Sequence, residues 1–184
     1  VESAQVVALI GFVLLAAVVA LVARRTGSVL QRTRVAESFR GDVADLSRRI
    51  EHSLGDVSVL IDALRRRSME PDAVRPSLEA ARDAVERYAD EARTLHGPRS
   101  TAGHRQAMVA ELERAGRALE LVDHGCALAA IGRRLEHAPE AETSIKRGYL
   151  NLIHARESIA EHAAAAVSEA EDASPVRRLG RRVP

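Results

Sequence analysis

The sequence predicts an all-α protein: one N-terminal transmembrane helix, then an antiparallel, up-down-up-down four-helix bundle or coiled-coil body. Three observations carry this reading. Residues 6–23 (VVALIGFVLLAAVVALVA) form an uncharged run closed at once by Arg24 and Arg25. Beyond it, apolar residues recur at three- and four-residue spacing almost without a break, and alternating strand patterns are nearly missing. Aromatic residues make up only 2% of the chain and Trp is absent, so any core is built from Leu, Val, Ile and Ala. Slender, closely packed helices suit that supply.

At about 1.5 Å per residue the apolar run reaches roughly 27 Å as a helix, close to the hydrocarbon thickness of a bilayer. Its flanks give an orientation. Glu2 is the one charge before it, whereas Arg24, Arg25, Arg32, Arg34 and Arg40 follow it against Glu37 alone. Basic flanks stay on the cytoplasmic side, so residues 1–5 are expected outside and the body inside, at the cell membrane as a single-pass protein. A cleaved signal peptide is the rival reading, since Val18 and Ala20 could satisfy a cleavage site; it needs its basic residues ahead of the apolar run, and here they lie behind it. A core helix of a globular domain is poorly matched by a run apolar on every face.

Residues 24–40 read as a basic juxtamembrane helix and residues 41–172 as the bundle. The first bundle helix is marked by Ala36, Phe39, Val43, Leu46, Ile50, Ser53, Val57, Leu60 and Leu64, and is expected to run to about Arg67. Gly41 and Gly55 fall on its opposite face. Val43, Ile50 and Val57 alternate with Leu46 and Leu60 as in a parallel two-stranded coiled coil. Leu54 and Ile61, however, widen the stripe beyond a two-stranded seam, which favours enclosure in a bundle. Pro71 opposes helix at the residue before it and ends this rod.

The second helix carries Val74, Leu78, Ala81, Val85, Tyr88, Ala92 and Leu95 inward, with Pro76 expected in its first turn. His96-Gly97-Pro98-Arg99-Ser100-Thr101 is a stop, a turn and an N-cap for the third helix. That helix spans about 102–137 through Met108, Leu112, Ala115, Leu119, Val122, Cys126 and Ala129. A later stripe of Leu121, Leu128, Ile131 and Leu135 suggests contact on two sides. Ala138–Pro139 opens the fourth helix, with Ile145, Tyr149, Leu152, Ile159, Ala163 and Ala166 inward. Residues 173–184 are expected to be a disordered basic tail.

No residue pattern points to catalysis, a metal or a cofactor. The residue three before each of the seven histidines is never Glu, which excludes the Glu-x-x-His pairs of di-metal bundles. No acid directly follows any histidine, as a phosphotransfer helix of a sensor kinase needs, and no phosphate-binding Gly-rich loop is present. His124-Gly125-Cys126 reads as a packing feature: Cys126 inward, His124 in water, and Gly125 admitting a neighbouring helix. Cys126 is the single cysteine, so no intrachain disulfide can form. Arg156 occupies an inward position, its head reaching the rim or pairing with Glu113 or Glu120. The Arg65–Arg67 run sits at a helix C-terminus, where cations offset the macrodipole, and lacks the aromatic partners of a nucleic-acid surface.

Charge distribution says more than any motif. Both ends are basic, through the juxtamembrane arginines and through Arg177, Arg178, Arg181 and Arg182, while the whole chain carries only +1, so the body between them is acidic. Arg24, Arg25, Arg32, Arg34, Arg177, Arg178, Arg181 and Arg182 are therefore the expected contacts to anionic headgroups. The function expected is a non-enzymatic, membrane-anchored helical scaffold, adaptor or accessory subunit on the cytoplasmic face. Its partners would be membrane lipid and another protein or a second copy met through helical faces, with no nucleic acid and no small-molecule substrate. The alternative is a membrane-linked regulatory or signalling module that works through helix packing.

Overall fold

The apolar stripes become four long α-helices. The computed structural model describes residues 2–131 and 138–173, with side chains from residue 31 onward except 32 and 131. Among these residues there is no strand. Helix α1 spans Glu2–Arg65, α2 Pro71–Thr94, α3 Ala102–Ile131 and α4 Ala138–Asp172, with a single 3-10 turn, Arg99–Thr101, ahead of α3. The helix that contains the apolar run thus continues to Arg65. Among the residues whose side chains are described, no helix is long and apolar enough to cross a membrane. The expected span 6–23 lies outside the residues whose side chains are described, as do the residue-1 terminus and the tail beyond 173.

Ion pairs give the topology. Arg49 of α1 meets Glu91 of α2, and four residues further on Ser53 meets Tyr88, so the two helices run in opposite directions. Arg93–Glu113 (2.7 Å) and Arg82–Glu120 (3.0 Å) do the same for α2 and α3. Arg40–Glu171 (3.2 Å), Arg156–Glu51 (3.4 Å) and Arg67–Glu142 (3.5 Å) tie α4 back to α1 along the whole length of the bundle. Each helix packs on its two sequence-adjacent or closing neighbours in the order α1–α2–α3–α4–α1, a closed antiparallel square.

One core fills the square. From α1 it takes Phe39, Val43, Leu46, Ile50, Leu54, Val57, Ile61 and Leu64, all buried. The wide stripe decides against a dimer seam along this face: Val43, Ile50, Val57 and Leu46 are already covered by the chain's own helices. Ser53 and Leu60 are only half-buried. Leu78 and Val85 from α2, Met108, Leu112 and Leu119 from α3, and Leu152 and Ile159 from α4 complete it. Ala dominates the rest, as the scarcity of aromatics requires. Phe39 lies flat against Gly97 in the α2–α3 connection, where a Cβ would stand 2.4 Å from the ring.

The ends show how each helix stops. Helix α1 closes in a Schellman motif: Ser68 N–H donates to Ala63 O and Arg67 N–H to Leu64 O, both at 3.0 Å. Arg67 takes the left-handed conformation that glycine normally fills there, with φ 57°. Pro71 begins α2, as its fixed φ and missing N–H allow. Because the helix starts there, Pro76 falls in the second turn rather than the first, and the Asp72 carbonyl loses its intrahelical donor. Thr101 does not cap α3 with its side chain; its hydroxyl and its N–H both donate to Pro98 O, at 2.8 and 3.1 Å, which makes the 3-10 turn.

Candidate membrane-facing end and interior chemistry

An even number of antiparallel helices returns the chain to the level at which it started. The result is visible at Arg40, whose Nη1 lies 3.2 Å from Glu171 near the end of α4. Ala173, Gln31, Val35 and the Pro98–Ser100 turn border one opening of about 770 Å³ at this same end. The last described residue of α4 therefore stands beside the stretch of α1 that leads toward the apolar run.

Of the expected headgroup contacts, Arg34 is described, and it is exposed. The side chains of Arg24, Arg25 and Arg32 lie outside the described residues, as do Arg177, Arg178, Arg181 and Arg182 entirely. Exposed His96 and Arg99 add polar groups at this end. Arg105 is turned inward instead: its guanidinium donates to the Leu95 carbonyl at the C-terminus of α2, a contact with no signal in the residue pattern. It satisfies one of the carbonyls that a helix end leaves without a partner.

The interior holds one potentially reactive group. Cys126 is fully buried on α3, and desolvation pushes its thiol up from 9.0 to about 11, helped by the charge of Asp123. A thiol held protonated at neutral pH is a packing group and a poor nucleophile. The expected division of the His124-Gly125-Cys126 cluster holds, with His124 exposed and Cys126 inside. Gly125 is where α4 comes closest: a Cβ there would stand 2.6 Å from Ile145 Cγ1 and 2.9 Å from the Ala141 carbonyl. Gly148 of α4 returns the contact, 2.6 Å from Val122 Cγ2 and 2.7 Å from the Ala118 carbonyl. Its role escaped the sequence reading, which assigned the inward position to its neighbour Tyr149. That ring is only half-buried, under the Arg65 guanidinium at 4.5 Å.

Arg156 is half-buried and snorkels as expected, but its partner is Glu51 on α1 and not an acid of α3. Gly55, one turn on from Glu51, leaves the room: its Cβ position lies 3.9 Å from Arg156 Nη1. His104 and His162 come together across α3 and α4 with ring centroids 5.8 Å apart, and Glu169 lies 3.9 Å from His104 Nε2. No group of three or more His, Cys, Asp or Glu among the described residues stands close enough to hold a metal ion. The large exposed hydrophobics, Val35, Val59 and Leu150, are single residues on separate stretches rather than a patch.

No known family model, characterised protein or solved structure matches this chain.

Proposed function

We propose that this chain is a non-enzymatic, single-span, membrane-anchored helical scaffold, adaptor or accessory subunit, with its bundle on the cytoplasmic face. One observation carries the reading. The uncharged run 6–23 and the bundle stripe Ala36–Leu64 belong to the same helix, α1. An anchor joined to its cargo by unbroken helix fixes the height and orientation of that cargo, where a flexible linker would leave both free. The basic flank after the run supports the orientation. The return of α4 to the level of Arg40 supports a role for the tail arginines as a second contact to anionic lipid, beside Arg24, Arg25, Arg32 and Arg34.

The same unbroken helix favours a second reading, a regulatory module in which rotation or tilt of the anchor is passed to the bundle. Three measurements separate the possibilities. A reporter fused after Pro184 behaves as cytoplasmic under either anchored reading; extracytoplasmic labelling of that end overturns the orientation. Full-length protein resists carbonate extraction, and a protein that washes off overturns the anchor. Purification in mild detergent retains a stoichiometric partner or second copy if the protein is a scaffold. A bundle that stays alone but repacks on a stimulus supports the regulatory reading.

A further inference from the structure

The outer side of α2 and α3 carries a groove of about 540 Å³ whose floor is Val85, Leu112 and Gly116. On its α3 wall and at its near end Arg82 bonds Glu120 and Arg93 bonds both Asp90 and Glu113, and Arg117 adds one exposed cation. Its α2 wall carries the larger unbalanced charge. Glu79, Asp83 and Glu86 follow one another at four- and three-residue spacing, so they form one row along the helix. All three are exposed, and none is in an ion pair among the described residues. Like charges in such a row repel one another and attract a cationic segment.

We propose that residues 174–184 of the same chain lie in this groove, with Arg177, Arg178, Arg181 and Arg182 drawn to the α2 acids. Two observations support this occupant. The first is charge: the tail carries four arginines and no acid. The second is reach. The tail starts at Ala173, which shares an opening with Pro98–Ser100 of the α2–α3 connection.

From that connection, Glu86 and Asp83 lie about 14–18 Å back along α2, and the sideways step is about one helix diameter, ~10 Å. Extended chain covers about 3.3 Å per residue, so Arg181 and Arg182 reach roughly 26–30 Å from Ala173. The acids are within that span. The opening beside Ala173 is a poorer resting place, since Arg99, the charged residue among its described lining, has the same sign as the tail. The groove and an anionic membrane would then compete for the same arginines. Docking would be favoured wherever the surrounding lipid is neutral.

The test uses the full chain in neutral maltoside micelles, with Cys126→Ala as background and spin labels at Arg87→Cys, beside the acidic row, and Val183→Cys. Double electron–electron resonance is expected to give a short, narrow distance population at low salt. That population is lost at 1 M salt, where the screening length falls to about 3 Å. It is lost equally in the triple variant Glu79→Gln/Asp83→Asn/Glu86→Gln, whose exposed positions leave folding intact by circular dichroism. Dilution with unlabelled chain leaves the short population unchanged. A broad distribution at low salt overturns the proposal, as does a narrow one that survives the triple variant. Loss on dilution overturns docking within one chain and assigns the tail to a neighbour's groove.

Discussion

The α3–α4 contact and the α1–α2 contact are built on opposite plans. Between α3 and α4, Gly125 and Gly148 let each backbone approach the other so closely that a Cβ would stand within 3 Å of a carbonyl oxygen, that of Ala141 or of Ala118. Between α1 and α2 the large aliphatics of α1 reach across from further away. The rim is held by Arg49–Glu91 and by a 2.9 Å hydrogen bond between Ser53 and Tyr88. Dispersion falls off steeply with distance, so the close contact gains more per residue and tolerates less. The α3–α4 pair is thus the closely packed side of the bundle, and α1 and α2 pack onto it through larger side chains. It is α1, of these last two helices, that contains the expected anchor.

The sharpest way to break the comparison is to enlarge the close contact. Gly148→Leu is expected to cost more than about 3 kcal/mol in denaturant unfolding, since the added atoms meet the α3 backbone and the helices must part. Even Gly148→Ala is expected to destabilise, despite the gain in helix propensity. On α1 the sign reverses. Gly41 has nothing within 4 Å of its Cβ position, and Gly41→Ala is expected to gain roughly 0.5–1 kcal/mol.

Truncations in the shared core come next. Leu119→Ala, Leu152→Ala and Leu46→Ala should each cost about 2–4 kcal/mol, because all three side chains are fully buried. Leu46 is the informative member. An unchanged melting midpoint there would mean that α1 is not enclosed by the other helices in solution.

Smaller effects probe the rims and ends. Arg67→Gly is expected to stabilise by roughly 1 kcal/mol, since a non-glycine residue in the left-handed region costs about 1–2 kcal/mol and its exposed partner Glu142 returns little. The buried thiol gives a pH effect. Below pH 9 Cys126 is protonated in folded and unfolded chains alike. Between 9 and about 11 the unfolded chain loses the proton and the folded chain keeps it, so stability falls as pH rises through that window. Alkylation of Cys126 in the native protein should be slow at pH 8 and become fast on denaturation. Fast native-state alkylation would contradict the enclosed position.

These outcomes also measure what the sequence could convey. Periodicity located all four helices, with their described ends within a few residues of expectation; the expected last stretch of the third helix, 132–137, lies outside the described residues. The extra residues Leu54 and Ile61 correctly separated a bundle stripe from a two-stranded seam, because a helix enclosed by two neighbours must bury a wider arc. What periodicity could not give was depth. Gly148 and Tyr149 are adjacent, about 100° apart around α4, and only the approach of the α3 backbone shows that Gly148 is the one that faces it. Arg156 was recognised as an inward arginine, yet its acid came from α1 because Gly55 leaves space there. Pro76 lies one turn deeper than expected, because α2 starts at Pro71. At the candidate membrane-facing end, sequence parity anticipated that α4 would finish beside the start of the bundle, and Arg40–Glu171 is that meeting.

Amide hydrogen exchange in the native state tests the unequal construction most directly, because it reads the opening free energy residue by residue. The amides of α3 and α4 flanking Gly125 and Gly148 should exchange only through global unfolding. Those of α2 near Tyr88, and those of α1 opposite them, should open at lower free energy. Uniform protection across the four helices, or greatest protection in α1 and α2, would contradict a bundle organised around the α3–α4 hairpin.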